Sequence, residues 1–334
     1  MRIFLLRGIH GVADEELADG LRFFRGFDSN AEVVSVEGLD EALRLVGVDV
    51  VFVQEPFLGM SRMLGLSRFA LPCYVHYTIS LRDTAAYYYT GEFVGMLWRF
   101  FCESEDSRRK ILRYSPLSDG AVIPVGWPKL DVYREPAKPM DACWKPGDYR
   151  TIYAPSFSFF GFGAHGRFDV MWRGMIELAE SVEGIGWVFM PHPALASQVV
   201  RTGLMSESGW LAYLERWRRI GAVWTDGDYF DLLRSSNCLV TDGESFLAEY
   251  LPSGAPVIDL NRESEVPYSE FGQRLRATYY AAASVEDVRE RLASLMRGED
   301  PKLGERLALR EWFVPAGQYA SEAVLEGLLK AVAN

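Results

Sequence analysis

Short apolar runs alternate with helix-like segments along the chain, and the series is played twice. The first series runs "RIFLL", "DEELADGLRFFRGF", "EVVSV", "LDEALRLVG" and "DVVFVQ". It continues through "CYVHYTI", an aromatic helix-like stretch near Tyr87 to Trp98, "FFCES", "DSRRKILRY" and "AVIPVG". The second series restarts at "RTIYAPSF" and passes through "FDVMWRGMIELAESV", "GWVFMPHP", "WLAYLERWRRIG" and "CLVTDGES" to "APVIDL" and "SVEDVRERLASLM". Strands alternating with helices imply parallel βαβ units. The predicted fold class is α/β, with two Rossmann-like doubly wound domains facing a cleft.

The expected division places an N-terminal domain at residues 1–135 and a Pro-rich linker at 136–149. A C-terminal domain follows at 150–310. The linker lies in "PKLDVYREPAKPMDACWKPGD", which holds four prolines and little periodicity. Residues 311–334 end in the amphipathic "SEAVLEGLLKAVA", read as a helix that packs back on the N-terminal domain.

Charge narrows the class of partner. A formal net charge of −11 argues against a nucleic-acid binder, which needs a basic face, and against broad docking on anionic lipid. The "RWRR" cluster at Arg216 to Arg219 reads as a solvated helix face. The cysteines, Cys73, Cys102, Cys143 and Cys238, form no CxxC pair, and three lie in or beside apolar runs, where cysteine acts as a small hydrophobe. The opening "MRIFLLRGIHGVADEE" reads as a first strand rather than a signal peptide, and no run approaches the ~18 apolar residues of a membrane span. A reduced, cytoplasmic protein with a small or neutral partner is expected.

In open parallel sheets, ligands bind beyond the carboxyl ends of the strands. Those positions carry the chemically loaded residues here. His76 follows "CYV", "GWPKLD" follows "AVIPV", "PSFSFFGFGAHG" follows "RTIYA", "PHP" follows "WVFM", and "GES" follows "CLVTD". "PHP" reads as a rigid turn, and the same rigidity holds an imidazole in one pose, as a phosphate donor or proton shuttle requires. "GES" before a helix reads as an anion-binding N-terminus or as an ordinary cap. Walker, HExxH, GxSxG and zinc-type CxxC patterns are absent, and the glycine-rich "GFGAHG" is not read as a dinucleotide fingerprint, so neither a cofactor nor a metal site is expected.

These loops, in this order, resemble the CDP-glycerol glycerophosphotransferase family, the teichoic-acid primase and polymerase type enzymes of GT-B architecture. "VGWPKLD" looks like the family's Gly-Tyr-Pro-Arg-x-Asp segment through Gly126, Pro128 and Asp131. "IYAPSF" matches Tyr-Ala-Pro-Thr through Tyr153, Ala154 and Pro155. "MPHP" keeps Pro191, His192 and Pro193 of Lys-Pro-His-Pro. "DLLRSSNCLVTDGESFLAEYLPSGAPVI" aligns Asp242, Ser245, Tyr250 and Pro256, and "HYTISL" retains His76 and Thr78 of His-Gly-Thr-Pro-Leu-Lys. The resemblance spans roughly residues 50–295. Three departures stand out: Glu244 replaces the first Ser of a pair that helps hold the donor pyrophosphate, Tyr77 replaces a Gly, and Met190 replaces a Lys. A carboxylate aimed at phosphate is repelled, so Glu244 is expected to face a ribose hydroxyl unless the donor differs.

The resemblance implies a metal-independent transferase. Its donor is a nucleotide diphosphate, CDP-linked in preference, and its acceptor is a hydroxyl that in the family is often lipid-linked at the inner membrane face. His76 is then the general base. His192, backed by Ser245 and the helix N-terminus at Phe246, stabilises charge on the departing phosphate. The implied donor-binding set is Gly126, Pro155, Ser156, His165, Pro191, Asp242, Gly243, Glu244, Ser245 and Glu249. Within it, Glu249 or Glu244 holds the ribose and His165 closes over the donor. The aromatic stretch from Tyr87 to Phe101 is read first as buried helix and strand, with lipid or glycan contact as the alternative. Other readings kept open are a GT-B transferase using a UDP-sugar and a non-catalytic nucleotide-sugar or glycan binder. UDP-GlcNAc 2-epimerases, whose Thr-Asp-Ser-Gly-Gly loop is near "TDGES", rank behind them because "YAPSF" replaces their His-Arg-Arg-Glu loop.

Overall fold

The computed structural model describes residues 3–6, 35–36, 49–53, 60–76, 79–140, 142–161, 163–225, 228–314, 317 and 319–333. It divides into two units, each built on a six-stranded parallel sheet. The first unit comprises residues 1–79, 84–131 and 317–334; the second comprises 80–83 and 132–316. Tyr77 and Thr78 lie outside the described residues.

In the first unit the strands are β1 (Ile3–Leu6), β2 (Ser35–Val36), β3 (Val50–Val53), β4 (Leu71–Val75), β5 (Arg99–Cys102) and β6 (Val122–Pro124). Their spatial order is β2-β1-β3-β4-β5-β6. Side chains alternate across a strand, so each strand serves two layers. Val51, Val53, Tyr74, Phe100, Cys102 and Val122 pack on one face with Met63 and Leu66 of α1 (Met60–Leu66), Tyr89 of α2 (Ala85–Tyr89), Phe93 and Val94 of α3 (Glu92–Gly95) and Ile111 of α4 (Glu105–Tyr114). Val50, Phe52, Cys73 and Phe101 point the other way, onto Val324 and Leu328 of the last helix, Ala320–Ala333. Of the aromatic stretch, Tyr89, Phe93, Phe100 and Phe101 are buried, whereas Tyr87 is 82% exposed.

The last helix is held from the "GWPKLD" turn. Both Asp131 carboxylate oxygens accept backbone N–H groups at its first turn, from Ala320 at 3.0 Å and Ser321 at 2.8 Å. These are donors that a helix leaves unpaired, and a negative charge there also complements the helix dipole. Gly126 begins that turn with φ +89°, and a Cβ on it would lie 3.1 Å from the Cβ of Ala320. Gly126, expected among the donor-binding residues, belongs to the first unit, where it shapes the turn that docks this helix.

The second unit has β7 (Tyr149–Ala154), β8 (Ile185–Phe189), β9 (Ala222–Val223), β10 (Cys238–Thr241), β11 (Val257–Asp259) and β12 (Tyr280–Ala281). Read from β9, the order is β9-β8-β7-β10-β11-β12, the dinucleotide-fold order 3-2-1-4-5-6, whose direction reverses between β7 and β10. One face carries an aromatic layer in which Phe189 stacks on Trp217 at 4.9 Å and 8°. Phe168, Met171 and Met175 of α5 (Phe168–Ser181) complete it with Trp210 and Tyr213. The Pro-rich segment, expected as a linker, lies within the second unit. Its chain is tied into the second unit: Arg234 Nη1 donates to the carbonyls of Val132 and Glu135, and Lys138 N–H donates to Asp231.

Replacing Asp131 by Ala leaves two helix N–H groups unpaired. It should lower the unfolding free energy of the first unit by about 1–2 kcal/mol in urea titrations, with faster amide exchange at Ala320 and Ser321. An unchanged midpoint and unchanged exchange would contradict the capping role.

Candidate functional site

The first unit brings together a buried acid–base pair. His76 follows β4 and Glu103 follows the neighbouring β5, so parallel pairing sets them side by side. Glu103 Oε2 lies 2.5 Å from His76 Nδ1, and Oε1 accepts from the Ser107 hydroxyl. Burial acts most strongly on the Glu103 carboxyl and would raise its pKa. The His76 charge, together with the His76 and Ser107 hydrogen bonds, outweighs it and holds the pKa below the usual carboxylate range. The imidazole is packed edge-on against Phe100 at 4.7 Å, and Trp127 Nε1 donates to the His76 carbonyl at 3.1 Å. The Tyr89 hydroxyl stands 3.4 Å from Nε2, and burial pushes that phenol well up, so it remains protonated. A carboxylate on Nδ1 fixes the tautomer that leaves Nε2 as the basic atom.

Sequence reasoning placed His76 but passed over Glu103. The signal was present, since "FFCES" puts a carboxylate directly after an apolar strand.

In the second unit the loops after β7, β8 and β10 converge at the reversal of strand order. Asp242, directly after β10, is only 1% exposed. Its Oδ1 accepts the Ser156 N–H at 2.5 Å and its Oδ2 accepts the Arg167 N–H at 2.6 Å. Burial pushes the Asp242 carboxyl up, while the Ser156 and Arg167 amides and the charge of His165 pull it back. Gly166 makes this approach possible, because a Cβ there would lie 3.2 Å from Oδ2. Asp242 was expected to bind donor; both its oxygens are turned inward to hold the loop 156–167.

Ser156 Oγ accepts the Ser158 N–H at 3.1 Å, and the Pro155 carbonyl accepts the His192 N–H at 3.1 Å. These bonds join the "PSF" loop to the "PHP" loop, placing Pro155, Ser156, Pro191 and His192 in one cluster. His192 Nδ1 accepts the Ala194 N–H at 3.0 Å, and the ring lies 4.5 Å from Phe157. Desolvation lowers its pKa from 6.5 to about 4. The ring is therefore neutral near pH 7 and offers Nε2–H as a hydrogen-bond donor, not as a full positive charge.

The helix after "TDG", α9 (Glu244–Tyr250), begins with its own carboxylate. Gly243 N–H donates to Thr241 Oγ1 at 2.8 Å, and a Cβ on Gly243 would lie 2.9 Å from the Phe246 ring. Ser245 is exposed in the first turn. Glu244 Oε1 accepts from Arg82 Nε at 2.5 Å and lies 3.9 Å from His165 Nδ1. The loop carrying His165 is anchored at both faces of that residue: its N–H donates to the Ser158 carbonyl, and its carbonyl accepts from Arg262. Glu249 was expected to hold ribose hydroxyls. It is fully buried, and its Oε2 accepts from the Tyr229 hydroxyl at 2.6 Å, which makes it part of the packing beneath α9. Arg82 was not singled out from sequence, since its partner is 162 residues away. Among the described residues, no group of three or more His, Cys, Asp or Glu is arranged to hold a metal ion. Among the same residues, no helix is long and apolar enough to cross a membrane.

The fold is α/β with two Rossmann-like units, each on a parallel sheet, an architecture of the GT-B type. No family model matches the sequence, and no curated protein matches it. Solved structures do. The chain is similar to the wall teichoic acid polymerase TagF soaked with CDPG, at 10% identity and TM-score 0.65, covering 99% of this chain and 88% of that one. It is also similar to MnaA of S. aureus in a co-structure with UDP, at 14% identity and TM-score 0.61, covering 99% and 97%. UDP-GlcNAc 2-epimerase from Neisseria meningitidis, bound to UDP-GlcNAc, aligns at 13% identity and TM-score 0.59, covering 99% and 100%. At these identities the likeness is one of fold.

The depressed pKa of His192 has a signed consequence. Between pH 6.5 and about 4 the unfolded chain takes up a proton that the folded ring refuses, so stability falls as pH drops through that window. Urea titrations across it should show a shallower acid loss for His192→Asn than for wild type. Long-range ¹H–¹⁵N spectra should show a neutral ring protonated on Nε2 at pH 5.5, and an imidazolium there would contradict the assignment.

Proposed function

We propose that the chain is a transferase that takes a glycerol-phosphate or glycosyl group from a nucleoside-diphosphate donor, CDP-linked in preference, to a hydroxyl of a glycan or cell-surface polymer. The observation that carries this reading is the His76–Glu103 pair at 2.5 Å. A hydroxyl is a poor nucleophile near neutral pH and needs a positioned base. Glu103 orients the ring through Nδ1 and stabilises the imidazolium that forms when Nε2 takes the acceptor proton. A packing histidine has no need of an ionised partner held by a second hydroxyl.

The donor side of the proposal rests on the second unit. Its loops after β7, β8 and β10 stand at the reversal of strand order, where open sheets of this kind bind nucleotides. There His192 Nε2–H would donate to a phosphate oxygen, with the Ser156 and Ser245 hydroxyls supplying further donors. Stabilisation by oriented neutral donors of this sort strengthens as charge develops on the leaving phosphate. The likeness to TagF, whose structure was soaked with CDPG, supports the cytidine donor.

One observation favours a second reading, action on a UDP-linked amino sugar. The chain covers 100% of the N. meningitidis epimerase but 88% of TagF.

Phosphorus NMR on mixtures with CDP-glycerol, UDP-GlcNAc or UDP-glucose and polyol or glycan acceptors separates these outcomes. Glycerol-phosphate transfer releases CMP, glycosyl transfer releases UDP, and interconversion of UDP-GlcNAc with its epimer supports the second reading. Binding without turnover of any donor would leave a nucleotide-sugar-binding protein and sink the transferase. For the transferase, His76→Asn should lower kcat by about 10²–10⁴ with little change in donor KM. Glu103→Gln should lower it less, and activity indifferent to both changes would remove the assigned base.

A further inference from the structure

Glu244 stands where the resemblance expects a phosphate-binding hydroxyl, and the residues around it determine what that exchange means. Residues 80–83 run in the second unit beside 267–269. Arg82 bridges antiparallel to Tyr268, the Asp83 N–H donates to the Pro267 carbonyl at 2.8 Å, and the Ser269 N–H donates to the Leu81 carbonyl at 2.8 Å. Gly272 lies so close beneath that a Cβ would come within 2.2 Å of the Leu81 oxygen. The backbone of Arg82 is thus set by packing.

Its side chain is set as firmly. Nε donates to Glu244 Oε1 at 2.5 Å, Nη1 to the Val266 carbonyl at 2.7 Å and Nη2 to the Tyr268 hydroxyl at 3.0 Å. The guanidinium lies 3.8 Å from the centre of the Tyr268 ring, over which Arg276 also lies, at 4.2 Å. Arg276 in turn donates to Asp259 Oδ2 at 2.5 Å. A planar fork is what allows one cation to satisfy three differently placed acceptors at once. Arg82 is only 8% exposed, whereas Glu244 is 21% exposed at the head of α9. The cation is pinned beneath and the carboxylate is the member that reaches the loop surface.

We propose that Arg82 is a positioning residue which holds the Glu244 carboxylate aside and cancels its charge, so that the loop after β10 accepts a diphosphate in spite of the acid it carries. The inference rests on the nucleotide reading of the second unit. Arg82 acts through Glu244 and does not itself touch the ligand, because its donors are committed to the protein. Without it, the Glu244 charge loses its close arginine partner at the head of α9 and repels phosphate. The ligand class is a pyrophosphate-bearing anion, and the neutral nucleoside portion is indifferent to the pair.

The test is calorimetric titration of UDP, CDP, inorganic pyrophosphate, uridine and cytidine into wild type, Arg82→Ala, Glu244→Gln and the double variant, with circular dichroism melts of each. Arg82→Ala should weaken the diphosphates and pyrophosphate by about tenfold or more, leaving nucleoside binding within about twofold. The double variant should recover to within about threefold of wild type, since no charge remains to be cancelled. A double variant as weak as Arg82→Ala overturns the inference in favour of direct contact, and an equal loss for nucleosides overturns it in favour of a purely structural role. Should Arg82→Ala fail to fold, Glu244→Gln decides: it should bind pyrophosphate at least as tightly as wild type, and weaker binding overturns the proposal. Wild type that binds none of these probes removes the nucleotide reading and this inference with it. Wild type that binds while all variants match it removes this inference alone.

Discussion

The carboxylate of Asp242 accepts two backbone amides from opposite ends of one loop, Ser156 where it leaves β7 and Arg167 where it enters α5. Most of what surrounds the second unit's strand ends follows from that clamp. It closes the loop that carries His165, and it fixes Ser156, whose neighbour Pro155 anchors the backbone of His192. It also favours Gly166, because a Cβ there would lie 3.2 Å from Oδ2 and 3.1 Å from the Ser158 carbonyl oxygen. The carboxylate is held in a place that water does not reach, so its stability depends on those amides, and their satisfaction depends on it. Loss of one partner orphans the others, and so a single buried side chain governs the geometry of three loops.

The two units use the same strand-end architecture for opposite electrostatics. In the first, an imidazole is coupled to an ionised carboxylate inside an aromatic shell of Tyr74, Tyr89 and Phe100, an arrangement suited to moving a proton. In the second, the imidazole of His192 is kept neutral by desolvation beside Phe157, an arrangement suited to donating one hydrogen bond of fixed direction. The same residue type thus acquires different chemistry from its surroundings alone.

The fold was legible because parallel βαβ units leave a coarse, repeated signature, and the strand ends fell where the apolar runs stopped. His76, Ser156, His192 and Gly243 could be located for the same reason. Roles were less legible than positions. Asp242 and Glu249 resemble ligand-binding acids in a linear reading, yet their partners, Arg167 and Tyr229, are remote in sequence and claim them for packing. Arg82 gave no signal at all, because an ion pair between distant segments has no spacing rule. The Pro-rich segment shows a different limit. Proline marks an irregular backbone, but irregular chain can still be tied down, as the carbonyls of Val132 and Glu135 are by Arg234.

The first unit is assembled from three separate stretches of chain, and the last of them supplies Val324 and Leu328 to cover Phe52, Cys73 and Phe101. On the ribosome this reverses the usual order, in which the leading domain is finished first. Phe52, Cys73 and Phe101 go without that cover while nearly two hundred further residues are made, and the second unit can be complete before the first is sealed. The earlier half of the chain therefore waits on its final stretch for part of its core.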